Sequence, residues 1–363
     1  MANYLTLDET SKKIGVSKET LRRWDRSGKF ECVRHPVSKY RMYKEENVIS
    51  FVNDYQLWNK YEFNKEEESN TKPYFGTDYG KLYQTDSLKY LRTMEDESVD
   101  LIFSDPPYNI KKAEWDTFSS QLDYVNWSMN WIKEAHRILT KTGSLYICGF
   151  SEILADLKWA SSKLFSGCKW LIWFYRNKGN LGNDWGRSHE SILHLRKSKK
   201  FIFNIDAVRI PYNEHTLKYP KRTQAISSQF SRGKENGYIW EPNPLGAKPK
   251  DVLEISRDVL EIPTISNSSW EKTLHETQKP IELLRKIILS SSNQDSVILD
   301  PFCGSGTSVA VAEAYKRRWI GIELEERYCN VIKDRINNKS LIERIYFAKE
   351  EMDSLERRIK LRG

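Results

Sequence analysis

The sequence predicts an α/β protein with a mostly parallel sheet, preceded by a small unit made largely of helices. Apolar, strand-like runs alternate with amphipathic helical stretches between residues 79 and 337, and this alternation is typical of parallel sheets. A polar, acidic stretch at 61–78 predicts a linker between this region and residues 1–60. The 363 residues suffice for two or three domains and a large buried core.

Residues 1–60 have the outline of a winged helix-turn-helix. LDETSKKIG and KETLRRWDRSG predict short helices around a GVS turn, with Ser17 as the N-cap of the second, and FECVRHPVSKYRMY predicts a small hairpin. TLRRWDRSGKF and KYRMYKEENV resemble the DNA-binding domains of the MerR and excisionase-like families. The resemblance implies DNA contacts from Thr20, Arg22, Arg23 and Arg41. The other interpretation is a helical cap that packs on the main domain.

Residues 79–200 predict the first half of the sheet. KLYQTD predicts a short strand that ends at Asp86, SLKYLRTMEDES a helix, and VDLIFS a buried strand that ends before DPPY. NWSMNWIKEAHRILTKTG predicts a helix with Trp127, Trp131 and Ile138 on its apolar face. GSLYICGF, KWLIWFYR and ESILHLRK predict further strands.

Residues 201–270 interrupt this regular pattern. The segment is rich in lysine and arginine, has few acids and contains interleaved aromatic residues, prolines and glycines. A long irregular segment in a compact domain is often functional, and this composition suits a groove that follows phosphates and touches bases. The predicted DNA contacts are Arg209, Lys221, Arg222 and Arg232. The alternative is a solvated surface insertion.

The last part of the chain returns to an α/β pattern. In residues 271–337, IELLRKIILSSS predicts a helix, SVILD a buried strand, WIGIEL a second strand and ERYCNVIKDRI a helix. Residues 338–363 have apolar residues near helical spacing. They predict a C-terminal helix that packs on the body or on a second subunit, as in a homodimer.

The composition narrows the class of protein. The formal charge of +8 and the isoelectric point near 9.0 favour a polyanionic partner. No run of about 18 apolar residues predicts a membrane span, and the polar start MANYLTLDET is unlike a signal peptide. The five cysteines are scattered without a CxxC pair, so we expect neither a metal site nor disulfides. These features predict a cytoplasmic protein.

Two short stretches have residues typical of a functional site. In SDPPYN, Pro106 and Pro107 stiffen the backbone and hold Asp105 and Tyr108 at a fixed separation. In DPFCGSGT, a strand ends and a helix begins around glycines that let a ligand approach the backbone. A second strand ends at Glu323, where an acid can hold ribose hydroxyls. This order of a strand, a glycine turn, a helix, a second strand and an acid predicts a nucleoside cofactor. The sequence has no GxGxxG motif, which argues against a nicotinamide cofactor.

Together these stretches resemble the amino-methyltransferases of DNA, which use S-adenosylmethionine. DPFCGSGT is similar to their cofactor loop, SDPPYN to their catalytic turn, and HETQKP and YQTDSLKYL to segments that precede each. The resemblance covers about Lys81 to Arg335 apart from the basic segment. The catalytic motif comes first, as in the beta group of the family. The implied fold is a permuted, Rossmann-like class I methyltransferase sheet with an inserted target-recognition region.

The resemblance also implies roles for individual residues. The cofactor would be held by Asp86 at its adenine, Glu323 at its ribose and Lys279 at its methionine carboxylate. The pocket around it would be shaped by Asp300, Phe302, Gly304, Gly306 and Thr307.

The catalytic turn has its own implied roles. The target base must flip out of the duplex to reach the site. Tyr108 would stack on it, while Asp105 and the Pro106 carbonyl accept from its exocyclic amino group. Pro106 and Pro107 would hold these acceptors in place before the base arrives.

Several alternatives remain open at this point. In the family, Asp before the two prolines accompanies adenine more often than cytosine, so Asp105 favours adenine N6 in double-stranded DNA over cytosine N4. The expected setting is a restriction-modification system with a cognate endonuclease. Related NPPY enzymes modify proteins or RNA, but Asp105, the basic segment and the helix-turn-helix argue against that class. A regulator that retains a methyltransferase-like body is a further alternative, which the intact Asp105 and glycine loop disfavour. No motif predicts the recognition sequence or the contribution of the helix-turn-helix to it.

Overall fold

The computed structural model divides the chain into two compact units, Met1–Glu67 and Glu68–Gly363. The residues that the structure describes are 3–14, 18–26, 30, 32–35, 38–49, 72–109, 116–175, 183, 185–224, 238–253, 265, 269–275 and 277–347. Ser17, the predicted N-cap, lies outside them. In the described part of the chain, the helices are too short or too polar to cross a membrane.

The first unit combines a helical pair with a three-stranded antiparallel sheet in the order β1-β3-β2. Its elements are β1 (Tyr4–Thr6), α1 (Leu7–Ile14), α2 (Lys18–Arg26), β2 (Val33–Arg34), β3 (Arg41–Lys44) and a helical stretch at 45–49. A small buried core holds them together: Ile14, Leu21, Phe30, Tyr43 and Val48. The predicted helices and hairpin are present. The short strand β1 and the helix at 45–49 are additions that the sequence pattern did not indicate.

The second unit is built on a nine-stranded sheet within its described residues. The elements of its first half are β4 (Phe75–Gly76), β5 (Gly80–Gln84), α3 (Ser87–Thr93), β6 (Val99–Ser104), α4 (Gln121–Ile138), β7 (Leu139–Gly149), α5 (Ser151–Ala160), β8 (Gly167–Phe174) and β9 (His189–Arg196). Those of its second half are α6 (Glu214–Lys218), β10 (Arg222–Gln224), β11 (Tyr238–Trp240), β12 (Val252–Leu253), α7 (Ile281–Ser291), β13 (Val297–Asp300), α8 (Thr307–Ala314), β14 (Arg318–Glu323) and α9 (Glu326–Asn337). Residues 339–347 are also helical.

The strand order of the large sheet is β12-β8-β9-β7-β6-β13-β14-β5-β4. Strands β7, β6, β13, β14 and β5 run parallel to one another, while β9 is antiparallel to both of its neighbours. The late strands β13 and β14 therefore lie between the early strands β6 and β5. This confirms the α/β class and the permuted sheet that the motif order predicts.

A carboxylate ties the early and late strands together. Asp100 in β6 accepts a hydrogen bond from the Val297 N–H of β13 at 2.9 Å and another from the Thr140 hydroxyl of β7 at 3.1 Å. Helices α7 and α8 pack apolar side chains into the core of the sheet. The relative position of the parallel strands is thus fixed both by a central polar link and by burial of apolar surface.

The basic segment 201–270 is more regular than its composition indicates. Its described residues include a 3₁₀ turn at Ile205–Val208, helix α6 and an antiparallel ribbon of β10 and β11. Strand β12 joins the large sheet parallel to β8. Part of this segment therefore extends the sheet rather than lying outside it.

Candidate active site

Four neighbouring strands of the large sheet end at the same edge, in the order β6, β13, β14 and β5. Each brings an acid there: Asp105 follows β6, Asp300 ends β13, Glu323 ends β14 and Asp86 follows β5. Open α/β sheets bind ligands at the carboxyl ends of their strands. A cavity of about 440 Å³ lies at this edge, and all four acids line it. The topology thus joins residues that are far apart in the chain.

The loop between β13 and α8 has a shape that requires glycine at two positions. Gly304 and Gly306 have φ angles of 51° and 70°, in the left-handed region where other residues are strained. A Cβ atom on Gly306 would lie 2.7 Å from Ile332 Cγ1, and one on Gly304 would lie 2.8 Å from His275 Nε2. Gly306 also precedes α8, which begins at Thr307. The loop can therefore bring its backbone N–H groups close to a ligand.

The acids beside this loop hold its backbone. Asp300 accepts from the Phe302 N–H at 3.0 Å and from the Ser308 hydroxyl. Glu323 Oε2 accepts from the Gly304 N–H at 2.8 Å, and its Oε1 accepts from the next two backbone N–H groups at 2.9 Å each. Burial raises the pKa of Asp300 to about 7 and also raises the pKa of Glu323, although these hydrogen bonds oppose both shifts. Of the roughly four lone-pair sites of Glu323, one remains that can accept from a ribose hydroxyl.

Aromatic rings and a helix cap complete this half of the cavity. The centroid of the Phe302 ring lies 5.4 Å from that of Trp131 and 5.9 Å from that of Trp127. Asp86 is the N-cap of α3 and accepts from the Lys89 N–H at 2.9 Å, which fixes its carboxylate. A glycine cradle that a Cβ would fill, an aromatic wall and carboxylates at adjacent strand ends fit an adenosine-containing group.

The catalytic turn leaves β6 and is held by Asp116. The N–H groups of Tyr108 and Asn109 both donate to Asp116 Oδ1 at 2.7 Å. They are the first backbone donors after Pro106 and Pro107, because proline has no backbone N–H group. No motif in the sequence singles out Asp116. The only available signal is that a proline-stiffened turn needs an acceptor for its next N–H groups.

The side chain of Asp105 lies in a network of charged and polar groups. Its Oδ1 accepts from the Tyr108 hydroxyl at 2.6 Å, and its Oδ2 accepts from the Lys279 ammonium at 2.7 Å. Lys279 Nζ also lies 3.6 Å from Glu190 Oε2 and 5.3 Å from the centroid of the Tyr108 ring. That ring packs edge-on against Phe150 with a centroid distance of 5.0 Å. The resemblance assigns Lys279 to the methionine carboxylate, but in this structure its ammonium donates to Asp105.

Electrostatics favour a charged lysine and a neutral tyrosine in this network. Burial lowers the pKa of Lys279, but the Asp105 and Glu190 carboxylates together raise it by more. The net pKa therefore lies above its ordinary value. Burial, together with the Asp105 charge, raises the pKa of Tyr108 well above its ordinary value. Both groups therefore serve as hydrogen-bond donors to Asp105 at neutral pH.

The predicted DNA contacts in the first unit differ in how exposed their ion pairs are to solvent. Arg22 forms an ion pair with Glu19 at 3.1 Å on the exposed surface of α2. Arg41 Nε lies 2.6 Å from Asp25 Oδ2, and only 20% of its side chain is exposed. Arg41 thus links β3 to α2 within the unit. The side chains of Thr20 and Arg23 lie outside the part that the structure describes.

The predicted DNA contacts in the basic segment also differ in solvent exposure. Arg209 donates to Asp206 at 2.6 Å and to the Gly246 carbonyl at 2.8 Å, with 10% of its side chain exposed, so it holds the segment together. Lys221 is well exposed and forms an ion pair with Glu241 at 3.0 Å. The side chain of Arg222 and the whole of Arg232 lie outside the described residues. None of the described members lines the cavity at the strand ends.

Two family models match the chain. The model described as "DNA methylase" matches residues 99–334, which include the catalytic turn and the glycine loop. The model described as "MerR HTH family regulatory protein" matches residues 5–50, most of the first unit.

Individual proteins and structures give a consistent result. The chain is 34% identical to the type II methyltransferase M1.MboII of Moraxella bovis, over 69% of this chain and 94% of that protein. It is 31% identical to the DNA adenine methyltransferase YhdJ of Escherichia coli, over 78% and 90%. Its fold is similar to that of PvuII DNA methyltransferase (cytosine-N4-specific), with a TM-score of 0.52 and 17% identity, over 76% of this chain and 96% of that one. The chain therefore belongs to the DNA methylase family, and its cofactor is S-adenosylmethionine.

Proposed function

We propose that this protein is a site-specific methyltransferase that modifies N6 of adenine in double-stranded DNA. The observation that carries the proposal is the shared cavity: the Asp105–Tyr108 turn and the Gly304–Gly306 loop line one 440 Å³ space at adjacent strand ends. A reactive amino group and a nucleoside cofactor can therefore meet there. The size of the cavity also suits an adenosyl group with a base beside it.

The cofactor half of the cavity would hold S-adenosylmethionine through residues already described. Gly304, Gly306 and Thr307 would bring backbone near the methionine portion, and Glu323 would accept from a ribose hydroxyl. Phe302 would face the adenine, with Asp86 as an acceptor for its amino group. When bound, the cofactor supplies an electrophilic methyl group on a sulfonium.

The catalytic turn prepares the target amino group. Its nitrogen is a weak nucleophile because the lone pair is delocalised into the base. Asp105 and the Pro106 carbonyl would each accept a hydrogen bond from one N–H of this amino group. These bonds favour a pyramidal nitrogen, which is closer to the transition state. Tyr108 offers a ring face to a flipped base, and Asp116 holds the turn in place through two hydrogen bonds. Asp105 can also accept the proton that the amine must lose.

The choice of adenine rests on two supports. Asp105 stands before the two prolines, where the family resemblance favours adenine. The relative YhdJ, at 31% identity, is a DNA adenine methyltransferase by name. Cytosine N4 is the alternative, because it presents the same kind of exocyclic amine beside a ring nitrogen.

Other parts of the chain would serve recognition. Residues 201–270 would contact the target sequence, and the MerR-like unit would add DNA affinity. The type II methyltransferase M1.MboII at 34% identity supports a role in restriction-modification, with a cognate endonuclease as partner. We further propose a homodimer that pairs through the C-terminal residues. The proposed DNA substrate fits a cytoplasmic location.

The test is a methylation assay with labelled S-adenosylmethionine and unmethylated double-stranded DNA, followed by digestion and identification of the modified nucleoside. N6-methyladenine is the expected product. N4-methylcytosine would support the alternative base, and the absence of both would contradict the enzyme proposal. A gel-shift assay on the same DNA would then distinguish a regulator that only binds from a protein without DNA affinity.

A further inference from the structure

The Lys279 ammonium lies between two carboxylates, those of Asp105 and Glu190, and the roles above use only the first. Nζ is 2.7 Å from Asp105 Oδ2 and 3.6 Å from Glu190 Oε2. Only 7% of the Lys279 side chain and 11% of the Glu190 side chain are exposed. Glu190 belongs to β9, which is two strands away from β6 in the sheet. Its side chain does not line the cavity, and it approaches the site at the Lys279 ammonium.

Both oxygens of Asp105 are occupied by groups of the protein itself. The Tyr108 hydroxyl donates to Oδ1 and the Lys279 ammonium donates to Oδ2. Each oxygen keeps a second lone-pair site, so a target amino group that donates to Asp105 must share an oxygen with one of these donors, which weakens that oxygen as an acceptor. The ammonium is the stronger competitor, because its full positive charge attracts the carboxylate in addition to its hydrogen bond.

The lysine has a second partner close by. A shift of Nζ by about 0.7 Å towards Glu190 would bring the two groups to ordinary hydrogen-bond distance. Such a move keeps the buried ammonium paired, whereas an unpaired buried charge is strongly unfavourable. An ammonium has three N–H donors, so it can also retain a weaker contact with Asp105 while it turns.

We propose that Glu190 is a positioning residue for methyl transfer: it takes over the Lys279 ammonium when the target amino group binds Asp105. The inference rests on the proposed function, since it assumes an amino group as the acceptor of the methyl group. It requires no particular base, because adenine N6 and cytosine N4 would compete for Asp105 in the same way.

The test is a double-mutant cycle with Glu190→Gln, Lys279→Met and the combination. The measurement is the single-turnover rate of methyl transfer with cofactor and DNA both saturating, accompanied by the dissociation constants of each. Glu190→Gln keeps the size of the side chain and removes its charge. Alone, it should lower the rate on the order of tenfold, within the range that couplings between contacting residues reach, and leave both dissociation constants unchanged.

In the Lys279→Met background, Glu190→Gln should cause little further loss, because no ammonium is left to transfer. An equal loss in both backgrounds would contradict the inference and indicate a structural role. If the lysine variants are too slow to measure, a crystal structure of the wild-type protein with DNA and S-adenosylhomocysteine decides. Lys279 Nζ within hydrogen-bond distance of Glu190 and the target amine on Asp105 are expected. A lysine still on Asp105 Oδ2 would contradict the exchange.

Glu134→Gln is the matched control. Glu134 is another buried glutamate of the same unit, paired with Arg137 at 2.8 Å and absent from the cavity lining. Its substitution should lower stability without changing the single-turnover rate. If the wild-type protein methylates cytosine instead of adenine, the proposed target base is wrong, but the double-mutant cycle can still be measured with cytosine as the target. A normal rate for Glu190→Gln in an active protein would overturn only the role of Glu190.

Discussion

The two halves of the cavity satisfy their acids in different ways. In the glycine loop, Asp300 and Glu323 accept mainly from backbone N–H groups of the loop and of the residues beside it. In the catalytic turn, Asp105 accepts from two side chains, those of Tyr108 and Lys279. Backbone donors are fixed by the fold, whereas side-chain donors can change partners by rotation.

The difference suggests a division of labour. A cofactor of constant shape is best served by a loop that is organised before binding, since this reduces the entropy lost on association. A base that arrives from a duplex needs acceptors that are kept paired until it comes, because unpaired buried charges are costly. Substitutions in the loop should therefore affect cofactor affinity, and substitutions in the turn should affect the rate.

The strongest test of this division is Asp105→Ala. It removes the acceptor for the target amine, and we expect the single-turnover rate to fall on the order of a thousandfold, as for loss of a central electrostatic group. Calorimetry should still detect cofactor binding. The exposed Asp156 on α5 provides the control, since Asp156→Ala should behave as wild type. Normal turnover by Asp105→Ala would remove that carboxylate from the mechanism.

Gly306→Ala addresses the other half. The left-handed φ of 70° and the 2.7 Å approach of a new Cβ to Ile332 would force the loop to move. Strain of about 1–3 kcal/mol is typical of such positions. We expect cofactor affinity to fall on the order of thirtyfold, with a smaller effect on the rate at saturating cofactor.

Gly76→Ala is the control for this substitution. A Cβ at Gly76 would meet its nearest neighbour, the Gly80 carbonyl oxygen, at an ordinary 3.5 Å. Its cofactor affinity should match that of the wild type. Equal losses in the two variants would show that glycine is not specifically required in the loop.

Asp116→Ala tests whether the catalytic turn depends on its backbone anchor. The change leaves the N–H groups of Tyr108 and Asn109 without their 2.7 Å acceptor. A lost acceptor costs about 1–3 kcal/mol, and we expect the transfer rate to fall on the order of tenfold with unchanged cofactor affinity. A weaker cofactor affinity with an unchanged rate would reverse the proposed division between the halves.

A further expected effect concerns stability and pH. Burial raises the pKa of Asp300 to about 7 in the folded protein, well above its ordinary value. The folded state then holds this proton more tightly than the unfolded state, so the contribution to stability is present below about pH 4 and is lost as the pH rises towards 7. Relative to Asp300→Asn, the wild type should lose stability between these values. Chemical denaturation of both proteins across this range gives the difference, and parallel curves would contradict the shift.

Much of the architecture could be predicted from the sequence because its signals are local. The strands that stop at or just before Asp86, Asp105, Asp300 and Glu323 are each indicated by a short strand-like run that leads to an acid. The order of the catalytic and cofactor motifs was sufficient for the permuted sheet. In the basic segment the prediction was less complete, because β12 is too short to have a pattern and gains its stability from pairing with β8.

The contacts within the site could not be predicted in the same way. Lys279 pairs with Asp105 across 174 residues of chain, and neither position shows in which direction the lysine side chain points. Glu190 lies within the strand-like run ESILHLRK, where it is indistinguishable from a surface residue. Asp116 follows the catalytic turn without a recognisable spacing. These residues act through tertiary neighbours, which only the folded chain brings together.

The link from Asp100 to Val297 has a consequence for how the protein is made. It joins residues that are 197 positions apart, at the centre of the sheet. Such distant pairings must overcome a large loop-closure entropy before they contribute any stability, and they slow folding. During synthesis, β6 is therefore made long before its neighbour β13, since 197 positions separate Asp100 from Val297. Neither reactant pocket can form in a nascent chain that stops short of the glycine loop, so activity cannot begin before that loop has been translated.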